Sequence, residues 1–369
     1  MIKKLKTLTA ILFSLVLSAL FLTACFSGNN LNGFENEAGG TRTINVGFEG
    51  GICQAPIAIA HLKGFFADEG LNTTLRVTGD LVTTRNLLAA GEIDVAAGML
   101  AGWFMPMVAG VDVRISMGLH TGCASMFVRS SSNIYKINQL VSGQRIFASG
   151  LSGSAFHNIG RRFIYRADLS DDDVVWLNGT AGAGVAALLE GDVDVAVLPD
   201  QTAQRLIDSG EFRRIRSLDD DDFKYEACCV VVMMGNFMGQ NPITAAKITR
   251  AIFRAARWLD YSTDNKISAV TSLIDANLFS GPADIVEYTV NLLSRWQWGL
   301  PHSQTEATLD VSIGEYRALD LIGAHVNLNA FKAHIWQPVN LDGVTDFNLP
   351  NEAANNINAS PSTNAPCCA

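Results

Sequence analysis

The stretch Leu87-Leu88-Ala89-Ala90-Gly91-Glu92-Ile93-Asp94-Val95-Ala96 returns, one residue shorter, as Leu188-Leu189-Glu190-Gly191-Asp192-Val193-Asp194-Val195-Ala196. Both copies read as a helix end, a glycine stop, an acidic residue and a short strand. The glycine supplies the left-handed turn that closes a helix. The strand is apolar enough to be covered on both faces. Two copies about 100 residues apart imply two α/β lobes on one plan, against the alternative of a common helix–Gly–strand unit met twice by chance.

The flanks fit the same alternation. Residues 42–48 alternate polar and apolar as a strand, and Pro56 opens an apolar helix that Gly64 stops. Strands at 75–77 and 93–97 enclose a helix at 83–90. After a strand at 145–150, Ser154 leads a helix to about 165, then come a strand at 174–177 and a helix to 190. Residues 227–234 form a long apolar strand. Asn241 and Pro242 then begin a helix with Ile248, Ile252, Ala255 and Leu259 on one face, with further helices expected at 265–277, 282–296 and 312–323. Strand–helix alternation is the mark of a mainly parallel sheet with helices on its faces.

The chain has 369 residues, 48% hydrophobic and 17% charged, enough for two lobes with real cores. Its net charge of −9 and lack of a Lys/Arg cluster exclude a nucleic-acid partner. The basic start at Lys3, Lys4 and Lys6, an apolar run over 7–24 and Leu22-Thr23-Ala24-Cys25 form an export signal. The last four residues resemble the bacterial lipobox. Residues 1–24 would be removed, Cys25 lipid-modified, and 25–40 would serve as a Gly/Asn-rich tether. Loss of the three lysines brings the mature charge to −12. The Asn/Ser/Pro-rich end, 346–369, is expected to be disordered.

In open parallel sheets ligands bind beyond the carboxyl ends of the strands. The loops there are 50–54, 80–84, 98–100, 120–123, 150–155, 178–182 and 199–200, rich in Gly, Ser and Thr. Helix N-termini at Thr83, Ser154 and Thr180 favour an anionic or strongly polar group. Residue by residue, each Gly or Ser is more commonly a turn or cap; their joint placement on both lobes carries the binding reading. Ligand contacts are expected from Gly51, Cys53, Gln54, Thr83, Met99, Trp103, His120, Thr121, Cys123, Ser152, Ser154, Thr180 and Asp200.

Cysteine usage leaves alternatives open. Without Cys25, six remain, an even number that an exported protein could pair. His120 and Cys123, with Cys53 and Cys228-Cys229, could make a thiolate/imidazole cluster, but the spacing of paired CxxC motifs is missing. Packing, a disulfide or an organic-ligand contact ranks ahead, so no metal or cofactor is expected. His61 reads as structural, and His157 as a residue near the cleft. The acidic runs 171–173 and 219–222 lack the spaced calcium loop and read as solvated. Trp296 and Trp298 read as core.

These residues resemble the solute-binding proteins of bacterial ABC importers, in the nitrate/sulfonate/taurine and thiamine-precursor branch called the SsuA/THI5-like or NMT1-like family. The likeness is carried by Pro56-Ile57-Ala58-Ile59-Ala60 running to Gly64-Phe65-Phe66-Ala67-Asp68-Glu69-Gly70-Leu71, and by Leu88-Ala89-Ala90-Gly91-Glu92-Ile93-Asp94-Val95-Ala96. Gly118-Leu119-His120-Thr121-Gly122-Cys123 and Tyr225-Glu226-Ala227-Cys228-Cys229 are similar to variants in a subgroup rich in anaerobes. The resemblance implies a two-lobed periplasmic-binding-protein-like fold of type II, with lobe 1 at 41–126, lobe 2 at 127–228, and a return to lobe 1 plus C-terminal helices at 229–345. The connections between lobes would be 126–129 and 227–234. It implies a monomer that holds a small-molecule solute in the cleft. Its partners would be a permease with ATPase subunits and, through the anchor, the outer face of the cell membrane. The alternatives are a pyrimidine-biosynthesis enzyme on the same fold and a sensing module for a membrane signalling partner. No Ser/His/Asp set or phosphate loop supports catalysis, and no catalytic residue is expected.

Overall fold

The computed structural model describes residues 36–341. The export signal, Cys25 and the disordered-tail expectation lie outside these residues, as do Cys367 and Cys368.

The first sheet is built from β1 (Ile44–Phe48), β2 (Thr73–Val77), β3 (Val95–Met99), β4 (Val113–His120) and β10 (Cys229–Met234), in the order β2-β1-β3-β10-β4. The second contains β5 (Ala124–Arg129), β6 (Arg145–Ser149), β7 (Val175–Gly179), β8 (Val195–Pro199) and β9 (Phe212–Ser217), ordered β7-β6-β8-β5-β9. The orders superimpose term by term. In each sheet two parallel pairings come first, and one strand arriving from the other lobe inserts antiparallel.

Helices fill the connections. The first lobe has α1 (Ala55–Leu62), α2 (Phe65–Asp68), α3 (Leu81–Ala89) and α4 (Leu100–Val108); the second has α5 (Ala155–Arg166), α6 (Ala181–Glu190) and α7 (Asp200–Asp208). After β10 come α8 (Gly235–Gln240), α9 (Pro242–Tyr261), α10 (Thr263–Asp275), α11 (Ile285–Leu293), α12 (His302–Ala318) and α13 (Leu328–Ile335). The first helical positions at 312–323 are thus corrected to a start at His302, behind Pro301, whose ring fixes the entry to the helix. The face Ile248, Ile252, Ala255 and Leu259 is fully buried and packs α9 on α1. Burial of each Ile or Leu stabilises by roughly 1.5–3 kcal/mol. Asn241 departs from expectation: its carboxamide makes no cap bond but accepts Gly39 N–H at 2.7 Å.

The internal echo has a physical content. Gly91 and Gly191 take positive φ, +70° and +85°, where the helices end. Asp94 and Asp194 then each accept, at 2.8 Å, a backbone N–H at the start of the neighbouring strand, from Asn45 and Arg145 respectively. Both following strands, β3 and β8, are buried at the centre of their sheets.

The lobes are joined between β4 and β5 by Thr121-Gly122-Cys123, and between β9 and β10 by residues 218–228. The expected connections at 126–129 and 227–234 are therefore mostly strand: Met126 already pairs with Val197 in the second sheet. Gly122 and Cys123 both have positive φ, +82° and +85°. A side chain on Gly122 would run into Trp296. Cys123, with a side chain in the left-handed region, holds strain that its surroundings must offset.

Candidate functional site

Where the parallel strands end, the two lobes enclose a cavity of about 600 Å3. Lobe 1 contributes Glu49 after β1, residues 79–82 and Arg85 around the start of α3, and Met99 at the end of β3. Lobe 2 contributes the turn 149–156 and Thr180 with Ala181. Met99, Ser152, Ser154 and Thr180, expected from sequence, thus meet at one cavity. The N-termini of α3, α5 and α6 all open onto it, presenting backbone N–H groups and positive dipole ends from both lobes.

Local chemistry fixes these groups. Asp80 caps α3 by accepting Thr83 N–H at 2.9 Å and the Thr83 hydroxyl at 2.7 Å, so Thr83 serves the cap and is not in the cavity wall. Thr180 accepts Ala183 N–H at 3.2 Å in the matching role. The Ser154 hydroxyl donates to Ser149 O at 2.9 Å, while Ser152 is exposed in the turn.

Two residues missed in the sequence supply the charge. Arg85, on the second turn of α3, lines the cavity, and among the described residues no carboxylate lies within ion-pair distance of it. Burial lowers its proton affinity, with Glu49 and Asp80 opposing. Glu49 is pushed up to about 8, first by burial and further by charge on Cys53, against hydrogen bonding from Gln54. At neutral pH Glu49 is a neutral acid able to donate, beside an Arg85 able to bind an anion. Gly98 leaves room for Glu49: a Cβ there would come within 2.8 Å of Trp103 Nε1 and 3.4 Å of Glu49 Oε1.

Other expected contacts lie behind the wall. Trp103 is fully buried in the core. Gln54 is buried and accepts Glu49 N–H at 3.0 Å, and Gly51 precedes the Ile52–Gln54 turn without entering the wall. Thr121 is tied to Gln297 through its N–H and hydroxyl, both at 3.1 Å. Asp200 is buried, accepts the Ser125 hydroxyl at 2.6 Å and faces Arg214 and Arg295 at 3.6 and 3.5 Å. His61 bonds Thr73 at 2.8 Å, and His157 accepts Gly153 N–H at 2.8 Å within its own turn. The acidic runs are not simply solvated. Asp171 pairs with Arg161, Asp219 with Arg295, and Asp220 and Asp222 with Arg216.

The cysteines gather at the junction of the lobes. Cys123 and Cys228 form a disulfide, joining the two connecting segments. Cys53 and Cys229 are free thiols beside it. Cys53 is lowered to about 5, chiefly by hydrogen bonding from Cys229 and also by His120, against burial. Burial raises Cys229 well above the ordinary thiol range. Cys53 is therefore a thiolate at neutral pH.

A model of the NMT1-like family matches residues 37–274. No curated protein matches the chain in sequence. Among solved structures, the alkanesulfonate-binding protein SsuA of Xanthomonas axonopodis pv. citri, bound to MOPS, has TM-score 0.63 at 16% identity, over 80% of this chain and 98% of its own. The periplasmic nitrate-binding protein NrtA of Synechocystis PCC 6803 has TM-score 0.64 at 15% identity, over 86% and 89%. The desulfurization enzyme DSZB has TM-score 0.54 at 16% identity, over 85% and 99%. Such likenesses establish the fold: a two-lobed periplasmic-binding-protein architecture, as the sequence resemblance implied.

Proposed function

The chain belongs to the NMT1-like family, and from that premise we propose that it is the lipid-anchored solute-binding component of an ABC importer. It captures a small organic or oxyanion solute between its lobes and delivers it to a membrane permease. The observation that carries this reading is the inter-lobe cavity, where Arg85 and Glu49 of one lobe face Ser152, Ser154 and Thr180 of the other. Three helix N-termini and an unpaired guanidinium favour an anionic head group; the largely apolar remainder of the wall suits an organic body. The sulfonate and nitrate proteins of the same fold are consistent with that chemistry.

The mechanism is differential stabilisation. A ligand touching both lobes favours the closed arrangement by the contacts that only closure completes, and the permease reads that arrangement. Cys25 would hold the protein at the outer face of the membrane. We read the chain as a binding protein and not an enzyme, because the polar groups at the cavity are caps, a guanidinium and a neutral acid instead of a nucleophile oriented by a base.

Thermal-shift and calorimetric titration against alkanesulfonates, nitrate and pyrimidines tests this. Arg85→Ala is expected to weaken a bound anion about 10- to 100-fold, the value of a charged hydrogen bond. Ser152→Trp, at an exposed turn position, should fill the cavity and abolish binding with the melting temperature nearly unchanged. Undiminished affinity in both variants would sink the cleft assignment.

A further inference from the structure

Three separate segments bring sulfur and imidazole to one point beside the lobe junction. Cys53 lies on the turn after β1, His120 is the last residue of β4, and Cys229 is the first of β10. The antiparallel register sets Cys229 opposite both His120 and Met99, which lines the cavity. The ligand atoms of Cys53, His120 and Cys229 all lie within 4.8 Å of one another.

His120 is prepared in the way a metal ligand requires. It is fully buried, and its Nδ1 donates to Thr121 O at 2.7 Å, which leaves the lone pair on Nε2. That nitrogen is buried, with the sulfurs of Cys53 and Cys229 as its neighbours. Trp296 and Trp298 clamp the ring at centroid distances of 5.0 and 4.6 Å, so it cannot swing to another partner. A carbonyl fixing one imidazole nitrogen while the other faces two thiols is the outer-shell arrangement of metal-binding histidines.

We propose that Cys53 Sγ, Cys229 Sγ and His120 Nε2 form a binding site for a thiophilic transition-metal ion, with Zn2+ as the first candidate. Two thiolates and an imidazole are soft and borderline donors that select Zn or Cu(I) over Mg or Ca. A tetrahedral site with metal–sulfur bonds near 2.3 Å keeps its sulfurs roughly 3.8 Å apart, within small side-chain rotations of the present spacing. Three protein ligands leave a fourth coordination position for a water or another ligand, and Cys53 is the least buried member of the set. A metal there would clamp the first sheet where both connections leave it, next to Met99 and Glu49 of the solute cavity. The site stands independently of which solute the cleft takes.

Zn2+ titration of the purified full chain, without reductant so that Cys123–Cys228 stays closed, tests this by competition with a chromogenic chelator and by native mass spectrometry. One Zn2+ per chain is expected, with at least a 10-fold loss of affinity in Cys53→Ser and in His120→Asn. The double variant Cys123→Ser/Cys228→Ser should still bind one ion. Because His120 is fully buried, the variant at the less buried Cys53 and a Co2+ titration keep the proposal falsifiable. Thiolate-to-cobalt charge-transfer absorption should appear in the parent and weaken in Cys53→Ser. Absence of stoichiometric Zn2+, or equal affinity in Cys53→Ser, would overturn the site.

Discussion

In the first lobe, Leu100 opens the helix after the third strand and donates its N–H to Cys228 O at 2.8 Å. In the second, Asp200 opens the matching helix and donates its N–H to Cys123 O at 3.1 Å. The backbones correspond to the atom, and the two receiving carbonyls belong to the two cysteines of the disulfide. The side chains do not correspond. Leu100 is buried in the apolar core, whereas Asp200 sits in a buried network with Ser125, Arg214 and Arg295. Around the same strand ends, lobe 1 gathers thiols and an imidazole, and lobe 2 gathers carboxylates and guanidinium groups. The plan of a lobe is set by strand order and helix caps. What fills the strand ends near the junction is free to differ, and the chemistry lies in that difference.

The disulfide joining the equivalent positions offers the largest test. It closes a loop with a sequence separation of 105 residues, for which the chain-entropy account gives about 4–5 kcal/mol. Cys123→Ser/Cys228→Ser should lose that much in denaturant unfolding; a change under about 1 kcal/mol would show that the junction holds without it. Next, Asp200→Leu copies the residue of lobe 1 into lobe 2. It should destabilise by about 3 kcal/mol, because Arg214 and Arg295 lose a buried partner. Neutral behaviour would mean that the two strand ends are interchangeable after all.

Glu49 gives a pH signature to the first lobe. Its folded value of about 8 lies above the unfolded one, so the native state keeps a proton that the unfolded chain releases. Stability on this account falls as pH rises between about 5 and 8, by at most about 2.7 kcal/mol from pH 5 to 7. Glu49→Gln should flatten that slope in melts across the range; an unchanged slope would place its origin elsewhere. The smallest contrast is between the matched aspartates. Asp94 is buried and also pairs with Arg42, while Asp194 is more exposed and accepts only Arg145 N–H among the described residues. Asp94→Ala should cost about 2 kcal/mol and Asp194→Ala about 1 kcal/mol in chemical unfolding. Equal losses would deny that the first staple is the stronger.

Local signals announced much of this molecule. The repeated helix–Gly–Asp–strand unit marks the centres of both sheets, and the loops 80–84, 98–100, 150–155 and 178–182 reach the cavity, whereas 50–54, 120–123 and 199–200 do not line it. Other features were hidden for physical reasons. β9, Phe-Arg-Arg-Ile-Arg-Ser, carries three arginines and no apolar run that would mark a strand, yet it is an edge strand whose Arg213, Arg214 and Arg216 lie over the rings of Tyr135, Phe127 and Phe163. Glu49 follows β1 and Arg85 lies on the helix after β2, and only the pairing of those strands in the sheet brings them to one cavity. The pairing of Cys123 with Cys228 depends on the crossing of two segments far apart in sequence, which no spacing rule encodes. Trp103, expected at the cleft, is carried into the core by the turn of α4.

The central claim, a solute held between two lobes of one plan, is tested most directly by native mass spectrometry of the protein as purified from its native host. The parent and Ser152→Trp would each be compared with their denatured masses. The account predicts a small organic or oxyanion adduct on the native parent, lost on denaturation and absent from Ser152→Trp. The same adduct on the folded variant would contradict it.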